Sequence, residues 1–321
     1  MVDVLLHAFS TVLVLVAVAG LGYWTSYRNW YDDKARSLIA RLVNLAIPFF
    51  LFYSVVSKFS NGELLELLKI AYLPFVTIGI NFLISLALSR TPLVRESRRG
   101  AFIAAFSGAT VGFVGVPVIT TMFGEVGMPY LLIYFFANVT FIWTVGLYNV
   151  QLDGVRRSGG TKPSLISKKS FKMLFSGPLV GFLLGVAVVL FMISVPRPVY
   201  LSVKMIGQLA TPLALIFIGI TIHRVGFAAL KKMPCEVWLV LLSCFVLRPI
   251  VMYLCSLPLE MSTLMRQVFI ISAALPVSPV IAVLSKHYGA DDAFASEAVG
   301  LSVVGLFFAL PVLLVAVSFV S

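Results

Sequence analysis

A chain of 321 residues that is 60% hydrophobic and only 12% charged is not an ordinary soluble domain, in which about a quarter of residues are charged. Its formal net charge of +11 does not imply a nucleic-acid partner, because the 24 Lys and Arg gather in the connections on one side of the apolar runs. These figures leave an integral membrane protein.

Apolar windows of about 17 to 25 residues recur ten times, approximately over residues 4–24, 38–56, 70–88, 101–123, 130–150, 171–193, 205–222, 237–255, 268–284 and 293–320. An all-α protein of ten transmembrane helices is therefore expected. Connections after odd-numbered spans hold most of the basic residues, among them Arg95, Arg98, Arg99, Arg156 and Arg157. The other side holds Lys58, Lys69, Arg197, Lys204 and Arg266, while Arg41 and Arg248 fall within spans. The positive-inside rule then makes the odd connections cytoplasmic and both termini external, in a plasma (inner) membrane.

The first span has no basic residue before Arg28 and reads as a retained helix, not a cleaved signal peptide. His7 near its outer end reads as partly solvated, and Tyr23, Trp24, Tyr27 and Trp30 at the other end form an aromatic belt. Asp32 and Asp33 read as a solvated helix start. The second span contains Asn44-Leu45-Ala46-Ile47-Pro48 and the seventh Gln208-Leu209-Ala210-Thr211-Pro212, one pattern repeated 164 residues apart, with scaffold kinks expected at Asn44, Pro48, Gln208 and Pro212.

The fourth span carries Gly112-Phe113-Val114-Gly115-Val116-Pro117 and the ninth Pro276-Val277-Ser278-Pro279. Proline removes a donor and glycine loosens the chain, so nearby N–H and C=O groups lose intrahelical partners. In hydrocarbon each such group costs several kcal/mol unless protein or a water-lined cavity satisfies it. One such break reads as a packed kink; two at matching positions read as a ligand site, because a resumed half-helix points its positive end at whatever lies there. Gly127 and Gly289 each stand ten residues beyond Pro117 and Pro279, an offset of 162.

Two matches at nearly one offset predict two five-span repeats, residues 1–151 and 171–321, joined by a flexible basic cytoplasmic linker, 152–170. Five is odd, so the second repeat is inverted, as in secondary transporters. Asn138 in the fifth span belongs to a glycosylation sequon that no transferase could reach at membrane depth. Arg248 in the eighth span either faces a cavity or pairs with a carbonyl. Cys235, Cys244 and Cys255 lack metal-ligand spacing and read as packing residues, so neither metal nor cofactor is expected. Gly289 ends one helix, Asp291 or Asp292 caps the next, and Glu297 lies about a turn into the tenth span.

The Gly112–Pro117 stretch, with Leu275-Pro276 through Tyr288-Gly289 and on through Ala295-Ser296-Glu297-Ala298-Val299-Gly300-Leu301-Ser302, resembles the auxin efflux carrier family. So does Leu209-Ala210-Thr211-Pro212-Leu213-Ala214 leading to Gly219. The resemblance spans essentially the whole chain. It implies that the fourth and ninth spans unwind and cross at the bilayer midplane, with spans one, two, six and seven as a scaffold beside a moving transport domain. It also implies a homodimer and, for bacterial members, an organic anion such as malate or malonate, where plant members export the auxin indole-3-acetate. Thr110 departs from the family, which carries Asn seven residues before the crossover proline; Thr keeps a hydroxyl but lacks the amide's two donors. Val303 is a lesser departure.

The expected function is a secondary transporter, not an enzyme, moving a small organic anion by elevator-type alternating access. The carboxylate would lie at the half-helices beginning near Pro117 and Pro279, oriented by Thr110, Asn138 and Ser278, with Arg248 adding charge and Gly112 and Gly115 allowing close approach. H+ or Na+ are the candidate coupling ions. A sodium-coupled symporter of the bile-acid type, a membrane receptor and a membrane-embedded enzyme are the alternatives; the last lacks a catalytic cluster.

Overall fold

The computed structural model describes residues 2–58, 69–159, 177–226 and 233–320, with side chains from Leu13 onward except that of Lys58. The expectations for the His7 side chain and for linker residues 160–170 lie outside the described residues. Among the described residues every element is helical: α1 (Val2–Tyr27), α2 (Asp33–Lys58), α3 (Tyr72–Ser89), α4 (Arg99–Ser107), α5 (Val116–Phe123), α6 (Met128–Phe141), α7 (Leu147–Ser158), α8 (Gly177–Leu190), α9 (Arg197–Gln208), α10 (Ala210–Val225), α11 (Cys235–Leu242), α12 (Arg248–Ser256), α13 (Thr263–Ala273), α14 (Pro279–Tyr288) and α15 (Asp292–Ser318).

Six helical stretches of the described residues are long and apolar enough to cross a membrane: Asp33–Ser57, Tyr72–Ser89, Glu96–Ser158, Arg197–Val225, Cys235–Ser256 and Asp292–Ser318. Leu13–Tyr27, Gly177–Leu190 and Thr263–Ala273 are shorter apolar helices. Part of the difference from the expected ten has a physical cause. The 63-residue stretch Glu96–Ser158 turns at the 3-10 segment Gly124–Gly127, and the break after Ala273 leaves α13 and α14 only 11 and 10 residues long, about half of what a span needs. Large apolar side chains such as Leu45, Leu83, Phe191, Leu254, Phe308 and Val312 are exposed over the surface. Water would oppose so much exposed apolar area, whereas lipid solvates it.

Close packing of one group of helices depends on missing side chains. A Cβ on Gly22 of α1 would lie 2.2 Å from the Ile216 carbonyl oxygen of α10, and one on Gly219 of α10 would lie 1.8 Å from that of Ala19. In the same way a Cβ on Gly185 of α8 would lie 3.2 Å from the Phe52 carbonyl oxygen of α2. The other helices surround a second core that includes Phe102, Phe106, Val240, Ile281 and Phe294.

Helix ends follow their sequence signals. The Asp32 carboxylate accepts the Ala35 N–H at 2.6 Å, opening α2. Gly289 closes α14 in the left-handed region at φ 73°. Asp291 then caps α15 through the Phe294 N–H at 3.0 Å and pairs with Arg98 at 2.8 Å. Burial pushes the Asp291 carboxyl up, but the Phe294 N–H and the Arg98 guanidinium outweigh it and hold the group below its ordinary value. Residues 152–158, expected in the linker, instead continue α7. Asp153 there is fully buried and accepts the Ala101 N–H at 2.8 Å, covering the N-terminal end of α4.

Candidate functional site

The two interrupted helices meet at their breaks. α4 ends at Ser107, Gly108 and Ala109 run on without helical structure, and a π-type turn, Val111–Gly115, leads into α5. α13 ends at Ala273, and residues 274–278 are irregular before α14. The Thr110 N–H donates to the Pro276 carbonyl at 2.8 Å, so main chain bonds main chain where the breaks touch. Gly115 lies against the Leu275 side chain, whose Cδ1 would be 2.7 Å from a Cβ placed there.

The carbonyl side of this junction is heavily partnered. Arg248, fully buried, donates from Nη1 to the Gly108 carbonyl at 2.9 Å and from Nη2 to that of Leu275 at 2.6 Å. One guanidinium thus caps the C-terminal ends of both α4 and α13, where the helix dipoles favour a cation. Its position follows from local sequence: Pro249 supplies no N–H to the turn before it, and the helix loosens into a π segment, Ser243–Leu247. From that segment the Ser243 hydroxyl donates to the Phe106 carbonyl at 2.7 Å. Asn138 grips one residue of the break with both ends of its amide, accepting the Ala109 N–H at 2.8 Å and donating to its carbonyl at 2.7 Å. In the second break Ser302 accepts the Val277 N–H at 3.0 Å.

The donor side is different. The N–H groups of Val111, Gly112 and Phe113 in one break, and of Ser278 and Val280 in the other, have no acceptor among the described residues. The buried Arg248 Nε is also without one. Unused N–H groups beside two helix N-termini, with the Gly108, Ala109, Leu275 and Pro276 carbonyls already taken, form a junction that complements an acceptor.

The structure therefore gathers Thr110, Asn138, Arg248 and Pro276 into one network. Gly112, Gly115, Pro117, Ser278 and Pro279 lie on the same two segments, Pro117 and Pro279 in the first turns of α5 and α14. Asn138 and Arg248 spend most of their hydrogen-bonding capacity on backbone. The pairs Asn44, Pro48 and Gln208, Pro212 make no hydrogen bond to it among the described residues: Asn44, Gln208 and Pro212 are exposed, and α2 reaches the junction at Ile47, beside Gly112. Of the two, only the second pair sits at an interruption, at Leu209 between α9 and α10, whereas α2 continues through Pro48. Sequence reasoning missed Ser243 and the structural part of Ser302. Ser302 had a signal, since it lies 164 residues after Asn138, the separation of Asn44 from Gln208.

Interrupted apolar helices, buried polar pins and a lipid-compatible surface define a multi-pass membrane transporter. Residues 7–314 match the family described as "Membrane transport protein", the auxin efflux carrier family, and the chain belongs to it. A Rhizobium meliloti protein named "Putative malonate transporter" is 26% identical over 299 residues, covering 90% of this chain and 89% of the relative. Proteins named "Uncharacterized transporter" from Methanocaldococcus jannaschii and Methanothermobacter thermautotrophicus are 21% and 25% identical, covering 87% and 94% of this chain and 89% and 95% of their own lengths. These are names of transporters, not enzymes.

Proposed function

We propose that the protein is a secondary transporter of a small organic anion, a dicarboxylate such as malonate or malate, working by alternating access around the junction of the two breaks. The observation that carries this reading is the set of N–H donors left without an acceptor among the described residues at the resumed helices, beside Gly108, Ala109, Leu275 and Pro276 carbonyls that are bonded. A carboxylate offers several acceptor sites and a negative charge, and so complements both the donors and the dipoles. In this reading the Thr110 and Ser278 hydroxyls orient the ligand, and Asn138 and Arg248 hold the backbone that binds it. The name of the Rhizobium meliloti relative supports malonate as the first substrate to try.

Ten spans in two inverted repeats, 1–151 and 171–321, fit paired contacts as well as paired motifs. Gly22 meets Ile216 and Gly185 meets Phe52; the two glycines are 163 residues apart, and Phe52 and Ile216 are 164 apart. Asn138 and Ser302 pin the two breaks at the same 164-residue separation. α1, α2, α8, α9 and α10 form the scaffold in this proposal, and the remaining helices move. An apolar boundary supports sliding, with Leu15, Leu215 and Ile218 facing Val114, Val118 and Leu310. Both termini lie outside a plasma (inner) membrane, the 152–170 connection is cytoplasmic, and the scaffold forms a homodimer.

The test is uptake of radiolabelled malonate, malate and indole-3-acetate into proteoliposomes, with pH, sodium and voltage gradients imposed separately. Saturable uptake of one anion, responding to one gradient, is expected and identifies the coupling ion, H+ or Na+. Folded protein that carries none of the three under any gradient would refute the anion reading.

A further inference from the structure

A second polar site lies away from the junction. The second half of α3, the first two turns of α4 and α7 with the π segment Ile142–Gly146 before it line a cleft of about 400 Å³. Three guanidinium groups, Arg90, Arg99 and Arg156, line it together with Ser89, Tyr148 and Asn149. Its other wall is apolar, formed by Phe82, Leu86, Ile103 and Val145. Two of the arginines have carboxylates beside them: Arg99 Nη1 bonds Glu96 at 3.1 Å and Arg156 Nη1 bonds Asp153 at 2.9 Å. Asp153 is fully committed, because its second oxygen accepts the Ala101 N–H. Arg90 makes no ion pair among the described residues, and the buried Arg99 Nε has no acceptor among them. The cleft therefore retains excess positive charge and unused forked donors, next to a surface that suits a hydrocarbon chain.

We propose that this cleft binds the phosphate of an anionic phospholipid headgroup, with the upper part of an acyl chain on the Phe82–Val145 wall. Guanidinium groups match phosphate oxygens bidentately. Basic pockets between membrane helices at the cytoplasmic face are suited to such headgroups, and the connection between α3 and α4 belongs to the basic side of the chain. A small soluble anion would use the arginines and leave the apolar wall unoccupied, which favours the lipid. α4 leads directly into the first break, so a headgroup held by Arg90 and Arg99 restrains the outer end of the helix whose inner end Arg248 caps.

The experiment is native mass spectrometry of the full chain in detergent, offered equal amounts of phosphatidylglycerol and phosphatidylcholine with identical acyl chains. The wild type is expected to retain phosphatidylglycerol preferentially. Arg90→Gln, at an exposed residue outside any ion pair among the described residues, should reduce that preference about fivefold, the weight of one basic residue at an anionic surface. Lys34→Gln, on the exposed start of α2, should leave it unchanged. Equal retention of both lipids by the wild type, or equal loss in Arg90→Gln and Lys34→Gln, would overturn the proposal. In a lipid-free arm, thermal stabilisation by inorganic phosphate that Arg90→Gln abolishes would assign the cleft to a soluble anion and overturn the lipid assignment.

Discussion

Arg248 has two candidate uses that a sequence cannot separate, since a buried guanidinium serves equally to bind an anion or to hold protein carbonyls. The structure assigns both Nη atoms to the Gly108 and Leu275 carbonyls and leaves Nε without an acceptor. Arg248→Gln removes a charge-assisted bond from at least one break, and such bonds contribute about 1.5–3 kcal/mol each. The variant should melt several degrees lower in detergent and lose transport more than tenfold, read by thermal unfolding and proteoliposome uptake. Wild-type behaviour in both would show that neither carbonyl needs the arginine. Thr110 marks the limit of a family comparison, because its main-chain N–H makes the bond between the breaks and any residue except proline supplies that donor.

At the level of elements, the two prolines stand near the start of the helices that resume after the breaks. Pro117 and Pro279 occupy first turns, where the missing N–H costs the new helix nothing; Ser278 before Pro279 is extended, as the residue before a proline tends to be, whereas Val116 before Pro117 is helical. Pro117→Ala with Pro279→Ala should let each helix extend toward its break. Transport should fall while membrane insertion and monodispersity persist; unchanged uptake by the folded double variant would remove the breaks from the mechanism. A second element-scale prediction concerns the start of α15. The folded Asp291 carboxyl lies below its ordinary value, so its contribution to stability is complete above the unfolded value near pH 4 and disappears as pH falls through the folded one. Asp291→Asn keeps a capping acceptor but loses the charge pair with Arg98. Melting curves should show a deficit in the variant at neutral pH that closes in acid. A deficit independent of pH would assign the effect to packing.

For the whole molecule, α1 with α10 and α2 with α8 are among the helix pairs that approach closely at glycines. Gly219→Val places methyl groups where even a Cβ meets the Ala19 carbonyl. Since overpacking costs about 1–3 kcal/mol, a marked loss of folded protein is expected by size-exclusion chromatography. Gly79→Ala, where a Cβ meets nothing within 4 Å, should be neutral or stabilise α3 by about 0.5–1 kcal/mol. If both variants accumulate equally as folded protein, the glycine contacts do not govern helix approach.

Hydropathy and breaker positions made much of this legible beforehand. Hydrocarbon penalises unsatisfied backbone, so long apolar runs were expected to be helices, and Gly and Pro within them marked candidate interruptions, of which Pro48 and Pro311 are continued through. Helix caps such as Asp32 and Asp291 were legible because they act within a few residues of their own position. The tertiary structure alone decided which groups meet across the breaks: Thr110 with Pro276, Arg248 with Gly108 and Leu275, Ser243 with Phe106. Those partners lie 27 to 166 residues apart, and hydrophobic periodicity is silent about pairings at that range. It specifies which face of a helix is apolar, whereas the packing of the folded chain selects the carbonyl that a buried donor reaches.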